Sequence, residues 1–305
     1  MGLDVVVMGS INMDMLVHVD DFPKYSENVV AKKLEVLAGG KGSNQAVTIS
    51  KQDVKHAFLG AVGADDFGKQ IIDMLNEKGV ETKAIIRKTD APTGTAVGIV
   101  DKVGENTFMG VLGANMALTA AEIEKAFENL EAKVFLLQLE TSQESVIAAL
   151  KCAKEKGMYI ILDPAPEGCY FEESLSYTDL VTPNKQEAER ITGIAIENVE
   201  DAKKAAKIIA DTGVANVIVK LGGQGSVLFE SAKDKCTFIE AKKVTAVNTV
   251  GAGDTFAGVL ASELSRDRDN LVNAIQTATQ ASALKVARHG GHEAIPTRKE
   301  IMESM

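Results

Sequence analysis

Between residues 4 and 222 the chain repeats one pattern: a short, almost uninterrupted apolar run, then a longer segment with helical spacing. The runs are "DVVVMGS" (4–10), "HAFLGAV" (56–62), "KVFLLQLE" (133–140), "MYIILDP" (158–164), "TDLVTPN" (178–184) and "NVIVKLG" (216–222). A strand without polar alternation is buried on both faces, the habit of a parallel sheet covered by helices. The intervening segments, such as 66–78, 142–156 and 199–212, are amphipathic and long enough for crossover helices. The pattern predicts an α/β fold: a doubly wound, mostly parallel sheet flanked by helices.

Two regions break the alternation. "MLVHVDDFP" with "NVVAKKLEV", and "TGTAVGIVDKVGENTFMGVLG", join β-branched runs through turn residues with no helix between them. They predict a small second sheet near 15–36 and 94–111, which must pack on the main body, on a ligand or on another subunit. With no linker, repeat or low-complexity segment, residues 1–305 read as one domain with a lid.

Composition narrows the partners. A formal net charge of −10 argues against nucleic acid, whose backbone needs clustered positive charge. Three scattered cysteines, Cys152, Cys169 and Cys236, suggest neither a disulfide framework nor a metal cluster, and point to a reducing cytoplasm. No apolar run approaches a membrane span, and the first strand carries Asp4 where a signal sequence would carry a basic region and an apolar core. The opening Met-Gly is not a myristoylation signal, because Val6 stands where Ser or Thr is wanted.

Ligands of open α/β sheets bind beyond the carboxyl ends of the strands. The polar residues there are Asn12 and Asp14 after the first run, Glu140, Asp163, Asn184 to Glu187, and Gly222 to Gly225. "GSINMD" places Gly9, Asn12 and Asp14 in one loop, as ligands for a polyhydroxylated molecule or as turn residues. Met13 and Met15 read as packing residues. "AGGKGSNQA" (38–46) is not a P-loop, since Gly42 follows Lys41 and the upstream glycine spacing is wrong. No GxGxxG follows the first strand, which removes most support for a dinucleotide-binding dehydrogenase. What remains is a helix-capping turn, or a close backbone approach with Lys41 and Asn44 as hydrogen-bonding arms.

Asn184 and Glu187 in "TPNKQEAE" fit a capping box or a hydrated Mg²⁺ on a nucleotide. "KLGGQGS" (220–226) fits a hairpin or a phosphate loop. Of His18, His56, His289 and His292, the last two alone have metal-ligand spacing, and they read as solvated. In "NTVGAGDTFAGVLASEL" (248–264) a glycine-rich turn opens a helix, a natural anion site, yet Asp254 stands in it. Asp254 reads either as a helix cap or as a general base beside a phosphate cradle.

In this order, from "GSINMD" through "GGKGSNQA", "TPNKQEAE" and "KLGGQGS" to "NTVGAGDTFAG" and "RHGGHEAIP", the stretches resemble the ribokinase-like (phosphofructokinase B type) family of sugar and nucleoside kinases. The resemblance spans essentially the whole chain. It implies Asp254 as catalytic base, with the N–H groups of Gly251, Ala252 and Gly253 as an anion hole for the transferring phosphoryl group. It implies sugar recognition by Asn12, Asp14, Gly40, Lys41, Asn44 and Glu140, a combination most similar to members acting on the 5-hydroxyl of ribose. Asn184 and Glu187 would act on Mg²⁺ and phosphates through water, and Lys220, Gly222 and Gly225 would lie along ATP. The extra strands would form a lid that closes over the sugar and joins a homodimer. Family members usually carry Asp where this chain has Asn248, as a ligand for an activating monovalent cation, so weak or absent activation by K⁺ is expected. The alternatives are a family member acting on a ketose, a sugar acid or a nucleoside, and a sugar-binding regulator that has lost catalysis.

Overall fold

The computed structural model describes residues 2–305. In the first half β1 (Leu3–Met8) leads into β2 (Asn12–His18), β3 (Lys33–Gly39), α1 (Lys41–Ser50), β4 (His56–Gly63), α2 (Asp66–Glu77) and β5 (Ile85–Lys88). There follow β6 (Gly94–Val100), β7 (Asn106–Val111), α3 (Ala120–Phe127), β8 (Ala132–Leu137), α4 (Gln143–Glu155), β9 (Tyr159–Leu162) and β10 (Leu180–Val181). The last part holds α5 (Lys185–Thr192), α6 (Val199–Ala210), β11 (Asn216–Lys220), β12 (Gly225–Glu230), β13 (Lys235–Glu240), α7 (Ala252–Arg266), α8 (Leu271–Val286) and α9 (Arg298–Ser304).

Nine strands form the main sheet in the order β13-β12-β11-β10-β9-β8-β1-β4-β5. From β11 to β5 every neighbour is parallel, while β12 and β13 extend the edge as antiparallel strands. "KLGGQGS" is therefore the turn of the β11–β12 hairpin. The strand side chains alternate between two cores, as the two-residue period requires. Val6 and Met8 pack with the α3, α4 and α6 side of the sheet, Val5 and Val7 with the α1, α7 and α8 side. The expected mostly parallel sheet between helices is present.

The crossover helices start where side chains can satisfy their first N–H groups. Asp65 Oδ1 accepts from Gly68 N before α2, Ser142 Oγ from Ser145 N before α4, and Asn198 Oδ1 from Asp201 N before α6.

The second sheet has four strands in the order β3-β2-β6-β7. Its first arm reaches further inward than the expected 15–36, because the β2–β3 ladder continues to the pair Asn12–Gly39 and the β2–β6 ladder to Asn12–Gly94. Asn12 and Asp14 thus belong to a strand rather than a loop. The glycines make this register possible. A Cβ on Gly39 would stand 2.0 Å from Asp14 Oδ2, and one on Gly94 would stand 2.3 Å from Asn12 Oδ1.

Candidate active site

After β1 the chain builds β4 and β5 on one side, then crosses back to place β8 on the other, so the order reverses between β1 and β8. Such a switch point opens a crevice at the carboxyl ends of the strands. Ser10 Oγ, just past β1, bridges it by donating to Glu140 Oε2, just past β8, at 2.5 Å. Beyond the neighbouring strand ends lies a cavity of about 680 Å³ walled by Lys41, Asp163, Asn184, Glu187, Lys220, Gly222, Gly225, residues 251–254 and, from α8, Thr279, Ser282, Ala283 and Val286.

The head of α7 forms one wall. Gly251 precedes the helix with φ 75°, a left-handed conformation that glycine adopts without a Cβ penalty. No side chain caps this end. The Asp254 carboxylate instead leaves the helix, accepting from Asn44 Nδ2 at 2.9 Å and from Gln45 Nε2 at 3.3 Å, which removes the cap reading. Ala252 N donates to Thr249 O at 3.2 Å, while the N–H groups of Gly251, Gly253 and Asp254 find no acceptor among the described residues. The unpaired donors of the turn are therefore these three, and Ala252, expected among them, is already engaged. Burial raises the Asp254 pKa, against the opposing pull of the Lys41 ammonium and the Asn44 hydrogen bond.

A polar network runs from this carboxylate across the sheet. Gln45 Nε2 also reaches Asp163 Oδ2 at 3.1 Å, and Gln138 donates to Gln45 Oε1. Asp163 Oδ1 accepts from Lys220 Nζ at 2.9 Å, an ion pair with both side chains largely buried. Burial works against charge on Lys41, but Asp254, Glu140, Asp163 and Glu187 outweigh it and hold the ammonium above its ordinary range.

Asn12 and Asp14 lie two apart on β2 and so share a face of that strand. Asn12 Oδ1 accepts from Asn115 Nδ2 at 2.9 Å. Asp14 Oδ1 is shut away from water with no hydrogen-bond partner among the described residues. Burial first, then the nearby Glu140 charge, pushes the Asp14 pKa up to about 7. A buried, unpartnered carboxylate oxygen is costly unless a donor arrives from outside the chain, and a hydroxyl-rich ligand supplies such donors. Gly40 (φ 88°) and Lys41 open α1, and a Cβ on Gly40 would stand 2.7 Å from Ser10 O and 3.1 Å from Asn12 N. Of the set expected to hold a sugar, Lys41 lines the cavity; Asn12, Asp14, Gly40, Asn44 and Glu140 do not, and Asn44 is joined to its wall by the bond to Asp254.

Asn184 and Glu187 do form a capping box: Asn184 Oδ1 accepts from Glu187 N at 2.9 Å and Glu187 Oε2 from Asn184 N at 2.7 Å. Both also stand in the cavity wall, with Glu187 Oε1 and Asn184 Nδ2 uncommitted among the described residues. Burial raises the Glu187 pKa, opposed by Lys220. No three or more His, Cys, Asp or Glu among the described residues are grouped to hold a metal directly. A water-shelled Mg²⁺ carried on phosphates fits that donor set, since it needs few protein ligands.

Asn248 stands apart. Its Nδ2 donates to Gly290 O at 3.2 Å, its Oδ1 accepts from Val250 N at 3.0 Å, and its carbonyl accepts from Lys285 Nζ at 3.2 Å. With an amide in place of a carboxylate and one hydrogen bond already on each of its oxygens, Asn248 offers a monovalent cation less charge than Asp would.

Several residues escaped the sequence reading. His292, expected to be solvated, is buried and places Nε2 2.9 Å from Asn44 Oδ1. That oxygen only accepts, so Nε2 carries the proton, and burial lowers the ring pKa to about 4. Gln45, Gln138 and Lys285 gave no signal beyond a polar residue in an apolar context. Asp163 had a place after its strand but no role.

The sequence model described as pfkB family carbohydrate kinase matches residues 3–298. The ribokinase of Staphylococcus aureus (strain COL) is 33% identical over 299 residues, spanning 97% of this chain and 98% of that protein. The ribokinase of Haemophilus influenzae is 34% identical over 300 residues, spanning 98% and 97%. Among solved structures, the Arabidopsis thaliana ribokinase complexed with ribose and ATP gives a TM-score of 0.90 at 32% identity, covering 99% of this chain and 98% of that one.

Proposed function

Because this chain belongs to the pfkB family of carbohydrate kinases, we propose that it transfers the γ-phosphoryl group of ATP to the 5-hydroxyl of ribose. The observation that carries this reading is the Asp254 carboxylate, pinned by Asn44 and Gln45 beside unpaired N–H groups at the head of α7. As the sugar oxygen attacks the γ-phosphorus, Asp254 accepts the hydroxyl proton, the bond to the leaving oxygen of ADP breaks, and the N–H groups of Gly251, Gly253 and Asp254 meet the charge on the phosphoryl oxygens. A carboxylate whose pKa burial raises is a better proton acceptor than a free one.

Asn12, Asp14, Gly40, Lys41, Asn44 and Glu140 hold the sugar, with Asp14 accepting two of its hydroxyls. Lys220, Gly222 and Gly225 follow the nucleotide, and Asn184 and Glu187 face its phosphates. Mg²⁺, when bound, neutralises phosphate charge, and Glu187 suits its water shell. The small sheet acts as a lid over the sugar. Exposed apolar residues such as Leu34, Val36, Phe108 and Val111 on a sheet with no helix of its own support a homodimer through it. Three free thiols agree with a reducing cytoplasm, and no described helix is long and apolar enough to cross a membrane.

ADP release measured with ATP against ribose, 2-deoxyribose, fructose, gluconate and adenosine tests the reading. The highest kcat/KM is expected for ribose. A preference of about tenfold or more for another acceptor transfers the assignment to it. Sugar binding without ADP release leaves a regulator.

A further inference from the structure

Lys285, near the end of α8, is only 2% exposed. Its Nζ donates to the Asn248 carbonyl, and its Cε lies 3.8 Å from where a side chain on Gly251 would begin. The amine is packed under the turn that opens α7. Ser282, one helical turn earlier, locks the two helices there by donating to Ala252 O at 2.6 Å.

Taken alone, this is a poor place for a cation. An ammonium has three donors, and among the described residues Lys285 makes one hydrogen bond. The positive end of the α7 dipole and the unpaired N–H groups of Gly253 and Asp254 oppose positive charge nearby. Burial away from water adds to the cost. Burial lowers the Lys285 pKa, and Asp254 is the charged group whose field works the other way. Negative charge arriving at the turn offsets the electrostatic part of these costs, so the placement makes sense in a site built for phosphate.

The same turn is where the family resemblance puts a monovalent cation, and there Asn248 carries an amide instead of a carboxylate while the Lys285 ammonium already holds its carbonyl. The side-chain amide of Asn248 is spent on Gly290 and Val250, and its carbonyl on Lys285 itself. We propose that the Lys285 ammonium is a resident replacement for that cation: it supplies fixed positive charge behind the Gly251–Asp254 turn, so phosphoryl transfer in this chain needs no added K⁺. Lys285 acts as a positioning and electrostatic residue behind the backbone donors. Its effect on turnover rests on the kinase reading above, whereas its occupation of the cation position does not.

The experiment has two arms. In the first, protein exchanged into tetramethylammonium buffer free of Na⁺, K⁺ and NH₄⁺ is titrated with KCl at constant ionic strength, and kcat and KM are read with ATP and the preferred sugar. The unmodified protein should change by less than about twofold, whereas Lys285→Ala should lose about 10- to 100-fold in kcat with little change in sugar KM. Methylammonium or K⁺ should restore part of the Lys285→Ala activity. Lys285→Met, which keeps the bulk without the charge, should stay slow and unresponsive, separating electrostatics from packing. Thermal midpoints and ADP calorimetry report whether each variant is folded.

The second arm uses neither sugar nor nucleotide: thallium-205 NMR should detect no Tl⁺ bound to the unmodified protein, and bound Tl⁺ once Lys285→Ala is combined with Asn248→Asp. Activation by K⁺ of about tenfold or more in the unmodified protein, Tl⁺ bound by it, or Lys285→Met with unaltered kcat each overturns the proposal. Should no acceptor be phosphorylated, the kinase reading fails while the Tl⁺ arm still decides who occupies the cation position.

Discussion

Asn44 and Asp254 are 210 residues apart in the chain and 2.9 Å apart in space. The amide Nδ2 holds the carboxylate, the amide Oδ1 is held by His292 at 2.9 Å, and so the carboxylate, its support and the support's anchor come from three separate segments. Asp254→Asn should keep sugar and ATP affinity while lowering kcat by about two to four powers of ten, the range for a positioned general base. Steady-state kinetics beside calorimetry checks it; lost thermal stability with kcat intact would assign Asp254 a structural role.

His292 makes a separable prediction. His292→Leu should lower kcat about tenfold by freeing the Asn44 amide, whereas His292→Gln, which retains a donor, should stay within about threefold. Its folded pKa of about 4 lies below the unfolded value near 6.5. The unfolded state therefore binds the extra proton first. Stability contributed by the neutral ring is complete above pH 6.5 and declines as pH falls toward 4, by about 3 kcal/mol in all. Urea melts across that window should show the decline in the unmodified protein and its loss in His292→Gln.

Asp14, with its pKa pushed up to about 7, should make sugar binding pH-dependent. Sugar hydroxyls donate to the carboxylate form, so affinity should be full above pH 7 and fall toward tenfold per unit below it. Asp14→Ala should weaken sugar binding by about 1.5 to 3 kcal/mol, leave the ATP KM nearly unchanged and flatten the profile. Calorimetric titration of ribose from pH 5.5 to 8.5 is the measurement, and an unchanged profile in the variant places the titrating group elsewhere.

Gly94→Ala tests the space beside β2. The new Cβ would sit 2.3 Å from Asn12 Oδ1 and 2.5 Å from Asn115 Nδ2, so both amides must turn away. The sugar KM should rise about tenfold or more with a much smaller change in the ATP KM. Equal rises in both would point to general loosening of the sheet.

The small sheet offers an association test. Phe108→Glu together with Val111→Glu puts two charges on an exposed edge strand and should convert a dimer to monomer at micromolar concentration. Light scattering on the unmodified protein comes first, and a monomer there ends the dimer reading.

Much of this was legible in the residues alone. The apolar runs at 4–10, 56–62 and 133–140 became β1, β4 and β8 within a residue or a few, because burial on both faces leaves a continuous apolar signature. Helices α2, α4 and α6 matched their amphipathic segments for the same local reason. The glycine turn at 251–253 could be recognised as a helix start with free N–H groups, since the φ of Gly251 and those donors are properties of a few consecutive residues.

Position across the sheet was a different matter. Nothing local distinguishes a lysine on the inner face of α8 from one on a surface, or a histidine after a glycine pair from a solvated one. Lys285 and His292 acquired their partners when α8 and the segment after it packed against α7 and α1. The raised pKa of Asp14 depended on β2 entering the crevice beside Glu140. The sequence by itself determined the periodicities, hence the sheet, its helices and the order of its loops, because those follow from interactions between near neighbours and from the need to bury apolar faces. Only the tertiary structure decided which polar groups met inside, because burial and Coulomb energies act through space, and the distances that set them exist once distant segments are packed together.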